Sequence, residues 1–317
     1  MEKQIRKRSN LGEKKMADII VRAGCFVTII LLGYILRRNN FFGEEAFGVL
    51  SKITIKITLP AAIVSSFAGK EIDFSLLSLS LLGLGGGIIY MLLGYFMNYK
   101  NGKEAQAFEL LNLSGYNIGN FTLPFVQSFL GPIGVITTSL FDTGNAAVCL
   151  GGSYGIASTV KDGKRFSVKK VVKTVTKSIA FDCYIIMILM QLFHIRIPGP
   201  IVSLAQTIGN ANAFVAMLMI GVGFKLSGDL SQKKTILRIL AVRYTVAALI
   251  AAGCYFLLPF SLEVRKTLVI LPFSPIASAA PAFTKDLGGD TGLASAVNSI
   301  SIVISIFCIV SLLLIMP

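Results

Sequence analysis

Long apolar stretches alternate with short polar connections along the whole chain. A helix needs roughly 20 apolar residues to cross a lipid bilayer, and stretches of about that length recur here. The connections between them leave no room for a soluble domain. The pattern predicts an all-α integral membrane protein of ten transmembrane helices, over residues 17–36, 46–68, 74–98, 105–130, 133–157, 175–194, 199–222, 235–260, 266–286 and 291–316.

The composition agrees with this pattern and narrows the class of protein. Hydrophobic residues make up 54% of the 317 residues and charged residues 15%. The mean hydropathy of +0.74 lies outside the range of soluble globular proteins. A net charge of +14 would suit nucleic acid, but the Lys and Arg residues form short clusters between apolar runs, where topology is determined. The expected partner is the lipid bilayer and not nucleic acid.

The positive residues also predict an orientation. They concentrate in the first, third, fifth, seventh and ninth connections, which the positive-inside rule makes cytoplasmic. These residues are Arg37, Arg38, Lys100, Lys103, Lys161, Lys164, Arg165, Lys169, Lys170, Lys173, Lys225, Lys233, Lys234 and Lys285. Both termini are then outside the plasma or inner cell membrane, which conflicts with the basic N-terminal tail over residues 1–15. Either translation begins at Met16 or the number of helices is odd.

The longest polar connection, residues 159–173, is predicted to be a cytoplasmic linker between two blocks. The blocks, residues 16–158 and 174–317, hold five predicted helices each. Because five is odd, the second block starts from the opposite side of the membrane. An inverted repeat requires this parity.

Two of the predicted helices contain residues that weaken a helix. Residues 112–124 of the fourth helix hold three Asn, two Gly and Pro124, and residues 271–281 of the ninth hold three prolines, the last being Pro281. Such residues free backbone groups inside the membrane, and interruptions at matching positions of two halves are typical of transporter sites. We therefore expect two broken helices that cross near the midplane, centred on Pro124 and Pro281. A packed proline kink in each helix is the alternative.

Polar residues follow each predicted break. Asp142 and Asn145 share one face of the fifth helix, and Asn298 and Ser301 stand in the tenth. A carboxylate inside a span is costly unless it faces a cavity, a cation or a partner. Asp142 is therefore a candidate site for a coupling proton or Na⁺, with helix packing as the alternative. Arg243 in the eighth helix either provides a counter-charge for an anionic substrate or extends to the lipid headgroups.

Other chemistry has little support in the sequence. Each of the five cysteines stands alone in an apolar run and His194 is the single histidine, so neither a disulfide framework nor a metal site is expected. The triplets at 142–144 and 290–292 read Asp-Thr-Gly, as in pepsin-like aspartic proteases, but no predicted strands surround them. The chain is not expected to be an enzyme or to bind a cofactor beyond a coupling ion.

These motifs resemble those of one known family. The run Gly115-Tyr-Asn-Ile-Gly-Asn-Phe-Thr-Leu-Pro124, followed by Phe-Leu-Gly-Pro-Ile-Gly at 129–134 and Leu-Phe-Asp-Thr-Gly-Asn at 140–145, is similar to the most recognisable stretch of the auxin efflux carrier family. Pro60 and the proline-rich ninth helix also look like that family, and the likeness extends over the chain from Met16. The chain has Thr122 where Gly often precedes the crossover proline, and it lacks the long central loop of plant members.

The resemblance, to bacterial members in particular, implies a fold similar to bile acid/sodium symporters, with two inverted five-helix repeats. Helices one, two, six and seven would form a scaffold, often dimeric, and helices three, four, five, eight, nine and ten a moving transport domain. Residues carried over as surrounding the substrate are Asn112, Asn117, Pro124, Asp142, Asn145, Pro281 and Asn298. Asn120 and Ser301 complete the predicted substrate site.

The leading hypothesis is a secondary transporter that moves small organic anions by alternating access at a crossover site near the midplane. The resemblance implies carboxylates such as malate or malonate, or auxin-like acids, as the substrate class. The competing hypothesis is a membrane-embedded sensor or a channel-like subunit without coupled transport.

Overall fold

The first four helices form three long apolar stretches. The computed structural model describes residues 2–70, 73–224 and 232–316, and within these ranges its elements are helical, without a strand. The helices are α1 Glu2–Arg38, α2 Ala46–Ile53, α3 Leu59–Phe67 and α4 Leu79–Met97. A π-helical turn at Thr54–Thr58 joins α2 to α3, and a 3-10 turn at Phe74–Ser78 leads into α4. Helix α1 includes most of the predicted N-terminal tail, but the side chains of that tail lie outside the described part of the structure. Lys225, one of the predicted topology residues, also lies outside it.

The predicted fourth helix is interrupted. Helix α5, Lys103–Leu113, ends before a non-helical stretch at 114–117, in which Gly115 has a φ of +76°. A π-helical turn at Ile118–Thr122 and helix α6, Leu123–Phe129, follow. The predicted fifth helix comprises α7 Gly131–Ala147, a π-helical turn Val148–Gly152 and α8 Ser153–Asp162.

The middle of the chain differs from the prediction. A short helix α9, Val168–Val175, occupies part of the expected linker and is bent by 79° from α10, Ile179–Leu192. Each helix has its own N-cap, because the hydroxyl oxygens of Ser167 and Ser178 accept hydrogen bonds from backbone N–H groups in the following turn. The linker thus contributes a helix of its own.

The second half contains another interrupted segment. Its helices are α11 Gly199–Asn210, α12 Asn212–Gly223, α13 Lys233–Leu257, α14 Leu262–Ile270, α15 Ala280–Asp286 and α16 Thr291–Ile315. After α14 comes a 3-10 turn at Leu271–Phe273, and residues 274–279 then lack regular helix before α15 begins. The Asp290 side chain accepts a hydrogen bond from the N–H of Leu293 and so caps α16, which gives the second Asp-Thr-Gly triplet a structural role.

Seven helical stretches of the described chain are long and apolar enough to cross a membrane, or eight if the bent pair α9–α10 counts as one span. The interrupted segments α5–α6 and α14–α15 are not among them. All-helical, multi-pass membrane architecture is therefore confirmed.

The predicted centres of the two breaks were wrong. Pro124 and Pro281 lie in the first turns of α6 and α15, and the non-helical residues precede them. A proline fits a first helical turn because its missing N–H would have no partner there. Pro281 therefore marks where the helix resumes, whereas Pro124 follows a π-helical turn that already resumes the helix at Ile118.

Glycines let two pairs of helices approach closely. A Cβ on Gly83 of α4 would overlap the backbone of α7, and one on Gly144 of α7 would overlap the backbone of α4. Gly33 of α1 and Gly221 of α12 make the same reciprocal contact. Small residues at membrane helix interfaces permit this approach, which here positions α7, the helix of Asp142 and Asn145.

Candidate functional site

The two interrupted segments meet and are joined by hydrogen bonds. The backbone N–H of Asn117 donates to the carbonyl of Pro275 over 2.9 Å. The Thr122 hydroxyl donates to Ser274 Oγ over 2.6 Å. A third bond, of 3.2 Å, runs from Asn120 Nδ2 to Ser278 Oγ. Backbone and side chains of each break thus provide partners for the other, as buried polar groups in a membrane require.

Asn145 on α7 satisfies the backbone of the first break. Its Oδ1 accepts from the N–H of Tyr116 at 3.1 Å, and its Nδ2 donates to the carbonyl of the same residue at 3.0 Å. One amide side chain therefore pairs both backbone polar groups of a residue that lies outside any helix.

Two residues of α16 do the same for the second break. Asn298 Nδ2 donates to the carbonyl of Ile276 at 3.2 Å, and Ser301 Oγ accepts from the N–H of Ile276 at 3.1 Å. Asn298 Nδ2 also donates to the carbonyl of Ala277 at 3.3 Å. The predicted polar residues behind the two breaks thus make similar contacts, since each group pairs both backbone polar groups of one residue in the break in front of it.

Arg243 of α13 contacts both breaks, and its side chain is completely buried. Its guanidinium donates to four backbone carbonyls, those of Leu113, Gly115, Ser274 and Pro275, over 2.6 to 3.0 Å. These oxygens lie where the helical segments before each break end, and such ends carry partial negative charge.

The rings of Tyr90 and Tyr116 flank the same guanidinium, with their centroids 5.0 and 5.5 Å from its carbon. Arg243 is therefore neither at the lipid headgroups nor turned toward a cavity. Its charge is directed to the backbone of the breaks, so the expected role as counter-charge for a substrate does not fit this geometry.

Asp142 on α7 is held by two hydrogen-bond donors. Its Oδ1 accepts from Asn145 Nδ2 at 2.8 Å and its Oδ2 from the hydroxyl of Tyr184 on α10 at 3.0 Å. The carboxylate thus connects the first break, through Asn145, to a neighbouring helix. It also lines a cavity, as expected of a charged group at this depth.

Two cavities flank the breaks. The first, of about 280 Å³, is lined by residues of α2, the turn that follows it, both breaks, α7 and α10. The second, of about 520 Å³, is lined by the end of α1, the start of α2, α12, both interrupted segments and α16. Phe47, Asn117 and Ser278 line both cavities. These three residues therefore stand where the cavities meet.

The comparison with known proteins adds the family. A sequence model described as a membrane transport protein matches residues 25–180, just under half of the chain. Over residues 25–180 the chain is similar to this family. The resemblance to auxin efflux carriers is thereby confirmed, and the matched residues include the first break, Asp142 and Asn145. No curated protein matches the chain.

The described cavities receive only part of the predicted site. Asn117, Asn120 and Asp142 line the first cavity, and Asn117, Pro281 and Asn298 line the second. The other predicted site residues lie behind the cavity walls; they are Asn112, Pro124, Asn145, Ser301 and Arg243. Of these, Asn112 joins α5 to α15 through a 3.1 Å hydrogen bond to Thr284 Oγ1.

Sequence reasoning missed three residues that line these cavities. Ser278 lies in the second break, and its position before Pro281 was a usable signal. Tyr184 and Phe47 stand in ordinary apolar runs, and no local pattern marks them. Their importance comes from tertiary contacts, namely the bond of Tyr184 to Asp142 and the position of Phe47 between the cavities.

Proposed function

We propose that this transporter moves small organic anions, carboxylates such as malate or malonate, by alternating access at the junction of the two cavities. One observation carries the proposal. Asn117 lines both cavities, and its side-chain amide has no hydrogen-bond partner within the described residues. A polar side chain that is 7% exposed and unpaired inside a membrane is costly, and a transported ligand would supply its partner.

Neutral donors beside Asn117 support an anionic substrate. The hydroxyl of Ser278 accepts from Asn120, and its proton has no acceptor in the described part of the chain. Amide and hydroxyl donors together suit carboxylate oxygens. Neutral donors also bind an anion weakly enough to release it, which a carrier requires.

A bound proton on Asp142 would make the first cavity compatible with an anion. Among the described residues that line this cavity, Asp142 is the single acidic residue, and no Lys or Arg is present. A negatively charged substrate would therefore add a second negative charge with no cation to offset it. An ionised Asp142 and a carboxylate substrate would repel each other, whereas a protonated Asp142 would not. We infer that anion and proton move together. Both groups that contact the carboxyl are donors, whereas a Na⁺ site would need further acceptor oxygens.

The arrangement of the polar contacts supports an inverted repeat. Asn145 behind the first break corresponds to Asn298 and Ser301 behind the second. If the interrupted segments α5–α6 and α14–α15 each cross the membrane, they and the eight apolar stretches make ten spans. The cavities lie where the proposed scaffold helices meet the proposed transport domain, as alternating access by relative motion requires.

The test is uptake of labelled malate and malonate by proteoliposomes, with and without an inward proton gradient. We expect saturable uptake that the gradient stimulates. Asn117→Ala should lower uptake by about tenfold or more, since it removes a hydrogen bond to a charged group. Asp142→Asn should abolish the response to the gradient. Asp182→Asn is the matched control, because Asp182 is exposed and lines neither cavity.

Each alternative gives a different result. Saturable uptake that does not respond to the proton gradient would support anion transport but contradict coupling to a proton. Flux that does not saturate would identify a channel. No flux for any carboxylate, from protein with an intact melting transition, would contradict transport and favour the sensor hypothesis.

A further inference from the structure

Helix α9 combines two features of a helix that lies on a membrane surface. Viewed down its axis, the four valines of Val168–Val175 fall on one side and the three lysines on the opposite side. Val168 and Val172 are exposed, whereas Val175 is buried against the protein. Because α10 belongs to a predicted span, the 79° bend before it directs α9 nearly along the membrane surface.

A cavity of about 470 Å³ lies between α9 and α8. Three cations line it, Lys164, Arg165 and Lys170, and no carboxylate is among its described lining residues. Hydroxyl groups also line it, including those of Ser158 and Ser167. The remaining lining is apolar or glycine. The cavity thus offers both an anion-binding surface and an apolar one.

The connection from α8 to α9, which forms one side of this cavity, packs against α8. The ring of Phe166 lies directly on Gly155 of α8, where an added Cβ would be 2.9 Å from two ring carbons. A Cβ added to Gly151 would lie 3.5 Å from Val171 Cα of α9, an ordinary van der Waals distance. The cations are thus held on a folded element.

The charge in this segment is largely unneutralised. Lys164 pairs with Asp162 over 2.7 Å. Arg165 and Lys170 have no ion-pair partner within the described residues, and the same holds for Lys169, Lys173 and Lys177. A concentration of unpaired cations at a membrane surface attracts anionic headgroups.

We propose that the cavity between α8 and α9 binds the phosphate headgroup of an anionic phospholipid, with Arg165 and Lys170 as the principal contacts. An amphiphile fits better than a soluble anion because the cavity's apolar lining, Leu150, Val171 and Phe283, can contact acyl chains. The exposed valines of α9 place the cavity where such lipids are present.

The bound lipid would contact two elements that are linked to the candidate site. Leu150 belongs to the turn that follows α7, the helix of Asp142, and Phe283 belongs to α15. Lipid occupancy therefore stabilises the arrangement of these two elements. The proposal does not depend on the identity of the transported substrate.

Native mass spectrometry of the protein in neutral detergent tests the site directly. Phosphatidylglycerol is titrated against the protein, with phosphatidylcholine and inorganic phosphate as separate ligands. We expect preferential retention of one phosphatidylglycerol molecule. A cation beside an anionic lipid surface contributes roughly fivefold in binding, so the double variant Arg165→Gln/Lys170→Gln should bind about 25-fold more weakly. Arg165→Lys/Lys170→Arg, which keeps both charges, should bind within about threefold of wild type.

The matched control is Lys100→Gln/Lys103→Gln. It removes two exposed cations from another predicted cytoplasmic connection and does not touch the cavity. An equal loss of binding in both double variants would overturn the proposal, because the attraction would then be a general effect of charge. Equal retention of phosphatidylcholine, or inorganic phosphate that displaces phosphatidylglycerol at similar concentration, would overturn it also.

Discussion

At the residue scale, Arg243 has the most partners and the clearest structural role. It donates to four carbonyls of the two breaks, so its loss leaves buried oxygens without a donor. We expect Arg243→Gln to destabilise the protein by about 3 kcal/mol, the cost of removing one partner from a buried charged set. Thermal unfolding in detergent measures this. Arg196→Gln, which removes an exposed cation, is the control and should melt like wild type.

Retention of the wild-type melting temperature by Arg243→Gln would show that the four bonds do not hold the breaks together. The example also shows a limit of sequence reasoning. The pattern identified Arg243 as a deep cation, and both roles considered for it pointed away from the backbone. Its partners could not be predicted, because they are carbonyls freed by breaks in two distant segments of the chain.

At the scale of helices, the existence of both breaks could be predicted and their positions could not. Prolines and glycines weaken a helix over several residues, but whether a proline ends a helix or begins the next depends on which neighbour satisfies the backbone. Here Asn145 holds Tyr116, so the first break precedes Pro124 by several residues. Helix α9 was not predicted, because its three lysines led to the prediction of a polar linker over these residues.

Close packing of α4 on α7 offers a test with an internal control. A Cβ on Gly83 would overlap the carbonyl of Phe141, whereas one on Gly85 of the same helix would meet no atom within 4 Å. We expect Gly83→Ala to lower stability by about 1 to 3 kcal/mol, the usual cost of overpacking, and to move α7, the helix that carries Asp142. Gly85→Ala should be neutral or slightly stabilising, because alanine favours the helix.

Thermal unfolding of the two variants, measured side by side, distinguishes packing from helix propensity. Propensity alone would stabilise both variants equally, and that result would refute the close contact. Transport, measured by the uptake assay, should fall in Gly83→Ala and stay near wild type in Gly85→Ala.

At the scale of the whole molecule, the cavities and the polar bonds between helices imply a direction of opening. The second cavity extends from Arg37 and Glu45, beside the first connection, to Asn117 at the break. Away from this cavity, Asn212 of α12 accepts a hydrogen bond from Thr58 over 3.0 Å and donates to Gln127 of α6 over 3.3 Å. The cavity is therefore reached from the side of the first connection, which the positive residues predict to be cytoplasmic.

Cysteine labelling tests this state in a background whose five cysteines are replaced. Ser295 lines the second cavity on α16, so Ser295→Cys should react with a membrane-impermeant maleimide from the cytoplasmic side. Lys100→Cys and Lys70→Cys, exposed in the third and second connections, report the two faces of the membrane. We expect Ser295→Cys to label in the same vesicles as Lys100→Cys. Labelling with Lys70→Cys instead would mean that the cavity opens to the opposite side, because accessibility follows the open path and not the depth of the residue.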